Sequence, residues 1–131
     1  NNAGFQVFVA TNQAGIARGL YGENDMRLFH NTMQAELQQI GAHIDAFAFC
    51  PHHPEGVVTE LAHVCRCRKP SPGMLEHLCS IHATKIKGSA MFGDKTKDVA
   101  AAKTFGIPGY LVAQGELLSA VRNFIKETKA P

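Results

Sequence analysis

The sequence predicts an α/β protein in which helices flank a parallel sheet. Three observations support this. Short apolar runs rich in Val, Phe and Ile alternate with stretches whose apolar residues recur every three or four positions. Three polar clusters, TNQAG, the loop from Cys50 to Cys67, and GDKTKD, each follow directly on one of the apolar runs. Parallel α/β sheets take their ligands beyond the carboxyl ends of the strands, so three such clusters at one edge form a pattern rather than three unrelated turns. The length of 131 residues, with 45% hydrophobic and 18% charged residues, suits one globular domain over residues 1–131.

The elements follow in chain order. Residues 5–10 (FQVFVA) read as a buried strand that breaks off into Thr11, Asn12 and Gln13. Asn24 is placed to cap a helix running to about Ile40, with Met26, Phe29, Met33, Leu37 and Ile40 as its apolar stripe and Gly41 just past its end. Residues 44–49 (IDAFAF) form a second strand, and residues 50–70 an irregular loop. Ser71 and Pro72 suit a helix cap and first position, with Met74, Leu75, Leu78 and Cys79 turned inward. Residues 89–92 form a short strand, Asp98 to Phe105 a helix ended by Gly106, and residues 109–112 another strand. Residues 116–127 read as an amphipathic helix carrying Leu117, Leu118, Val121, Phe124 and Ile125.

Charge and composition exclude several classes. A formal charge of +2 without a long basic run argues against a nucleic-acid surface. No stretch approaches the apolar length of a membrane span, and no signal-peptide pattern is visible, so the expected compartment is the cytoplasm.

The polar clusters carry the chemistry. Thr11 and Asn12 offer a hydroxyl and an amide where a tight turn could face an anion, although a plain turn is the simpler reading of those residues alone. Cys50-x-His52 is followed, twelve residues later, by Cys65-x-Cys67. Three thiolates and one imidazole make the closed tetrahedral shell that structural Zn²⁺ prefers. His53 and His63 are substitute ligands, and Cys79, on a helix stripe, reads as core. Arg68 and Lys69 follow the last of these ligands directly, so a rigid metal loop would hold both cations in place. In GDKTKD, Asp94 ends a strand and suits Mg²⁺, while Asp98 reads better as a favourable charge in a helix first turn.

Together TNQAGIARG, CPHHPEG…CRCRKPSPGML and FGDKTKDVAAA resemble the haloacid-dehalogenase (HAD) superfamily of phosphatases. The subgroup they resemble most is the D-glycero-D-manno-heptose-1,7-bisphosphate 7-phosphatases, with the histidinol-phosphate phosphatases next. The resemblance runs from about residue 5 to residue 112. It implies a Rossmann-like HAD fold with a zinc-binding loop. It implies that Thr11 binds the transferring phosphoryl group, that Asn12 contacts substrate, and that Lys69 steadies nucleophile and phosphate charge. Arg68 would contact the sugar phosphate distal to the chemistry, Lys95 the substrate, and Asp94 a catalytic Mg²⁺. The implied substrate is a sugar bisphosphate, and the implied state a monomer when complete.

One feature departs from the family pattern. The family's nucleophile lies in an Asp-x-Asp pair on the first, central strand, and no Asp-x-Asp occurs among these 131 residues. The expectation is an N-terminally incomplete phosphatase domain, lacking that strand and its βα unit of roughly 30 residues, with no nucleophile and no turnover of its own. The competing expectation is a non-catalytic, zinc-stabilised module that binds phosphate or a protein.

Overall fold

The computed structural model describes residues 1–129. The chain divides into two compact units, Asn1–Arg68 and a second from Lys69 onward.

In the first unit, β1 (Phe8–Asn12) pairs in parallel with β2 (Ala46–Cys50), Phe8 opposite Ala46 and Asn12 opposite Cys50. The sequence placed β1 at 5–10. It starts later because the Val7 backbone is taken by Asp45: the Val7 N–H donates to Asp45 Oδ2 at 2.7 Å, and the Asp45 N–H donates to the Val7 carbonyl at 2.7 Å. That backbone hydrogen bond is also the main cause that holds the Asp45 carboxyl below its usual range. Thr11 and Asn12 therefore end a strand and do not form a turn. One helical turn, α1 (Ala14–Ala17), follows, and then α2 (Glu23–Gln39).

The helix α2 begins at a cap the sequence did not identify. Gly22, not Asn24, precedes its first turn, and Asp25 accepts the Gly22 N–H at 2.8 Å. An acidic side chain at the third helical position satisfies a backbone donor that the helix itself cannot. Its inward face is Met26 and His30, both buried, with Met33, Gln34 and Leu37 half-buried. Phe29 and Ile40 are exposed instead of buried. At 3.6 residues per turn Phe29 lies about 80° round from the centre of that face. His30 takes the inward position by stacking on Phe47, with ring centroids 4.3 Å apart. Burial, then Arg27, holds its imidazole pKa below the ordinary value. Gln34 completes the face by pairing both ways with the Ile44 backbone, at 2.7 and 2.8 Å. Gly41 turns the chain at φ +74°, as its place after the helix predicts.

In the second unit, α3 (Gly73–Ile81) buries Met74 and Leu78, with Leu75 and Cys79 half-buried. Its cap is Pro72, whose carbonyl accepts from Leu75 and Glu76. Strand β3 (Met91–Gly93) leads into α4 (Thr96–Phe105), which returns to β4 (Gly109–Leu111), parallel to β3. The sequence put α4 at Asp98, but the helix begins two residues earlier, after Lys95, and Gly106 closes it at φ +95°. Phe92 and Tyr110 stack across β3 and β4, and Phe124 of α5 (Leu117–Lys129) meets both edge-on. Val121, Phe124 and Ile125 are half-buried, but Leu117 and Leu118, read as part of that stripe, are exposed.

Among the described residues the strands make two separate parallel pairs, β1–β2 and β3–β4. Each unit is α/β, a parallel strand pair with flanking helices.

Candidate functional site

Cys50 ends β2, and the Pro-rich loop that follows returns Cys65 and Cys67 to it. The Cys50, Cys65 and Cys67 sulfurs and His52 Nδ1 all lie within 4.8 Å of one another. Four of the six edges of this cluster are 3.4 Å for Cys50–Cys65, 3.4 Å for Cys65–Cys67, 3.2 Å for His52–Cys67 and 3.6 Å for Cys50–His52, and the other two are no longer than 4.8 Å. A tetrahedral ion bonded at about 2.3 Å to sulfur and 2.0–2.1 Å to nitrogen needs edges of roughly 3.5–3.8 Å. Those four edges fall within a few tenths of an ångström of that, so the residues fit a metal ion. All four cysteines are free thiols.

The electrostatics agree. Burial pushes the Cys50 thiol far above its ordinary range, and the neighbouring Cys67 adds to the shift. Burial raises Cys67 as well. Burial alone would raise Cys65, but hydrogen bonds with Cys67 and Cys50 bring it below the ordinary value. Burial, then His63, lowers the His52 pKa, which favours the neutral imidazole that binds metals. The cluster is three acidic protons packed together, and a cation would replace them.

The two substitute histidines are engaged elsewhere. His53 meets Arg18 Nη2 at 3.3 Å and accepts the Glu55 N–H at 3.1 Å. His63 Nδ1 lies 2.9 Å from the Val64 carbonyl, with its ring 4.4 Å from that of His52. The loop is also tied to α1, because the Val57 and Val58 N–H groups both donate to the Ala17 carbonyl, at 2.8 and 2.9 Å.

Thr11 and Asn12 lie at the carboxyl end of β1. Gln13 is pinned there by its N–H, which donates to the Cys50 carbonyl at 2.8 Å. Arg68, at the end of the loop, has a buried Nη1 without a hydrogen-bond partner among the described residues. Such an atom calls for an acceptor, since buried donors are almost always satisfied.

In the second unit, Lys69 Nζ lies 2.7 Å from Asp98 Oδ1, and both residues are buried. Asp98 Oδ2 accepts the Lys95 N–H at 3.0 Å, which caps α4. Both carboxylate oxygens are thus engaged, one by a cation and one by a helix end. Only the second of these tasks is legible for Asp98 in the sequence. Gly93 makes room for it, as a Cβ there would meet the Asp98 carboxylate at 2.4 Å. Asp94, directly after β3, is open to solvent with Lys95 Nζ 3.5 Å away. Asp94 is thus exposed while Asp98 is buried and paired. Sequence reading also missed Gln13, which bonds Thr11, and Tyr21, which bonds Gln13. The signal for Asp98 was present, as an acidic residue three positions into a helix.

A family model described as HAD-hydrolase-like matches residues 66–127. A D-glycero-beta-D-manno-heptose-1,7-bisphosphate 7-phosphatase of Rhodopseudomonas palustris is 46% identical over 110 residues, 84% of this chain and 61% of that protein. The chain thus spans about three fifths of the length of that curated relative. A solved structure described as a HAD-like phosphatase, from Mesorhizobium loti, superposes with a TM-score of 0.86 at 30% identity, over 98% of this chain and 68% of that one. A D,D-heptose 1,7-bisphosphate phosphatase of B. bronchiseptica, solved with magnesium and phosphate, gives a TM-score of 0.77 at 33% identity, over 93% of this chain and 64% of that one. The chain belongs to the HAD superfamily of phosphatases. The heptose-1,7-bisphosphate 7-phosphatases it resembles are matched over about three fifths of their length. Among the described residues no helix is long and apolar enough to cross a membrane.

Proposed function

We propose that the protein hydrolyses a sugar bisphosphate, removing the 7-phosphate of D-glycero-D-manno-heptose 1,7-bisphosphate, with a structural Zn²⁺ and a catalytic Mg²⁺. The observation that carries this reading is a sequence of neighbours: the last cysteine of the Cys/His cluster is followed at once by Arg68, with a buried unpaired donor, and Lys69, locked to Asp98. The relatives' activity and the magnesium and phosphate of the Bordetella enzyme support it.

In this reading Cys50, His52, Cys65 and Cys67 hold zinc, which fixes the base of a loop with little apolar content of its own. Thr11 donates its hydroxyl to the transferring phosphoryl group, and Asn12 orients the ester beside it. Lys69 presents a fixed positive charge to the phosphoryl oxygens. Asp98 holds its ammonium in place, so little reorganisation remains when charge develops. Arg68 binds the phosphate that is not transferred, using its fork of donors. Lys95 contacts the sugar phosphate, and Asp94 is the exposed carboxylate that binds magnesium. The magnesium supplies charge neutralisation at the phosphoryl oxygens. The attacking carboxylate comes from an Asp-x-Asp strand outside these 131 residues, through an aspartyl-phosphate that water then opens. The complete protein works as a monomer in the cytoplasm, where a shell of reduced thiolates is stable, and binds no nucleic acid.

The test is phosphate release by the full-length gene product, with Mg²⁺, from heptose 1,7-bisphosphate and from histidinol phosphate. A higher kcat/KM on the heptose substrate is expected. Preference for histidinol phosphate would reassign the substrate, and no release from either would remove the phosphatase reading. A second reading, a zinc-stabilised binding module, applies to the 131-residue polypeptide alone and is favoured by its lack of an Asp-x-Asp pair.

A further inference from the structure

Three side chains of the first unit form a hydrogen-bonded chain that ends on Thr11. The Tyr21 hydroxyl donates to Gln13 Oε1, and Gln13 Nε2 donates to Thr11 Oγ1 at 3.0 Å. An accepted bond occupies a lone pair of the Thr11 oxygen and leaves the Thr11 proton to be given to something else. The direction of the chain is therefore the one that makes Thr11 a donor. The opposite amide orientation would consume the Thr11 proton on Gln13 and present a lone pair to an incoming anion.

The position of Tyr21 is built into the backbone. The Leu20 N–H donates to the Gly15 carbonyl at 2.9 Å and brings the chain back over α1. The Tyr21 ring then lies on Gly15 so closely that a Cβ there would meet its Cε1 at 2.2 Å and its hydroxyl at 3.0 Å. Gly15 is a seat for the ring. Gln13 starts from an equally fixed point, its N–H bonded to the Cys50 carbonyl at 2.8 Å. Two independent anchors thus meet in one amide group.

We propose that Gln13 and Tyr21 are positioning residues, which hold the Thr11 hydroxyl as a proton donor toward the transferring phosphoryl group. This rests on the phosphatase reading given above. A dianionic phosphoryl group at Thr11 strengthens the chain, because each bond polarises the next: Tyr21 to Gln13, Gln13 to Thr11, Thr11 to phosphate. Tyr21 touches no reacting atom and acts through the other two.

The experiment uses the full-length gene product, with Tyr21→Phe, Gly15→Ala, Thr11→Val and the double variant Tyr21→Phe/Thr11→Val. Heptose bisphosphate kinetics and inhibition by inorganic phosphate are the readouts. Tyr21→Phe keeps the ring on its seat and removes one hydrogen bond, so kcat/KM should fall about three- to tenfold, with a parallel loss of phosphate affinity. Gly15→Ala should reproduce that loss by displacing the ring. Thr11→Val should lose on the order of 100-fold, and adding Tyr21→Phe to it should cost nothing further. Equal losses from Tyr21→Phe with and without the Thr11 hydroxyl would overturn the proposal, and so would wild-type kinetics for Tyr21→Phe. Thr11→Val at the wild-type rate would overturn the assignment of Thr11 itself, a failure of the phosphatase site and distinct from failure of the relay. Should Tyr21→Phe lower the melting temperature, Gln13→Met provides the same comparison without touching the ring.

Discussion

The Cys50–Cys67 loop and the β3–α4 turn are both polar clusters that follow a strand, yet they are prepared differently. The loop brings four donors together from one stretch of 18 residues, Cys50 to Cys67, with two short Cys/His pairs at its ends. The turn presents one exposed carboxylate, Asp94, and keeps its other, Asp98, buried against Lys69 from the start of the second unit. A structural metal site needs all its ligands in hand, because the ion contributes folding energy. A catalytic site keeps a position open and stores its rigidity in the residues behind it. In the proposed site Asp94 is the open position, and the buried Lys69–Asp98 pair is the rigidity behind it.

The sharpest break of this comparison is metal removal. Cys67→Ala, or a strong chelator, should abolish stoichiometric zinc and unfold the loop, a loss measured in many degrees of melting temperature. Structural zinc in small domains is worth an apparent ~10–16 kcal/mol. Elemental analysis with a melting curve checks this. Retained stability with less than a tenth of a zinc per chain would remove the metal from the loop.

Next in size is Asp98→Asn. It leaves the Lys69 ammonium buried without its counter-charge, which costs about 3–5 kcal/mol where pairs are buried this deeply. Urea unfolding should show the loss, and Asp94→Asn, at an exposed position, should show almost none. Similar losses for the two would erase the distinction between them.

Arg68→Ala sharpens the comparison at the junction. In the full-length gene product it should weaken heptose bisphosphate more than a small generic phosphate ester, and Arg68→Lys should not restore the difference, because lysine has no bidentate fork. Kinetics on both substrates check this, and equal losses would end the specificity role. The smallest effect belongs to the flanking histidines. His53→Ala or His63→Ala should leave zinc at one per chain, since neither ring nitrogen belongs to the cluster. Elemental analysis of the two variants would show a loss if either is a ligand.

The difference between the two regions also decides what the sequence alone could yield. The Cys/His cluster was readable from spacing, because its four side chains are near one another in the chain and the rule for such clusters is stoichiometric. The helix ends at Gly41 and Gly106 were readable because positive φ selects glycine. The Lys69–Asp98 pair was not, since it joins residues 29 positions apart and depends on Gly93 admitting a carboxylate against the backbone. Nor was the inward turn of His30, which ranks as polar in any hydrophobic pattern but gains a flat partner in Phe47. The start of β1 was misplaced because Asp45 takes Val7 out of the ladder, an event that composition does not announce. Periodicity locates elements and metal spacing locates ligands, but side chains that serve other side chains are found only in three dimensions.

These 131 residues are assigned phosphate-binding and metal-binding groups but no attacking carboxylate, and one measurement tests that directly. The polypeptide of residues 1–131 is purified from a host lacking a related phosphatase, then assayed on heptose 1,7-bisphosphate with Mg²⁺, with and without a peptide bearing an Asp-x-Asp strand. The expected result is no phosphate release from the polypeptide alone, because Asp94 is the proposed magnesium ligand and both oxygens of Asp98 are engaged. Steady, Mg²⁺-dependent release without the peptide would contradict it and would place the nucleophile within these residues.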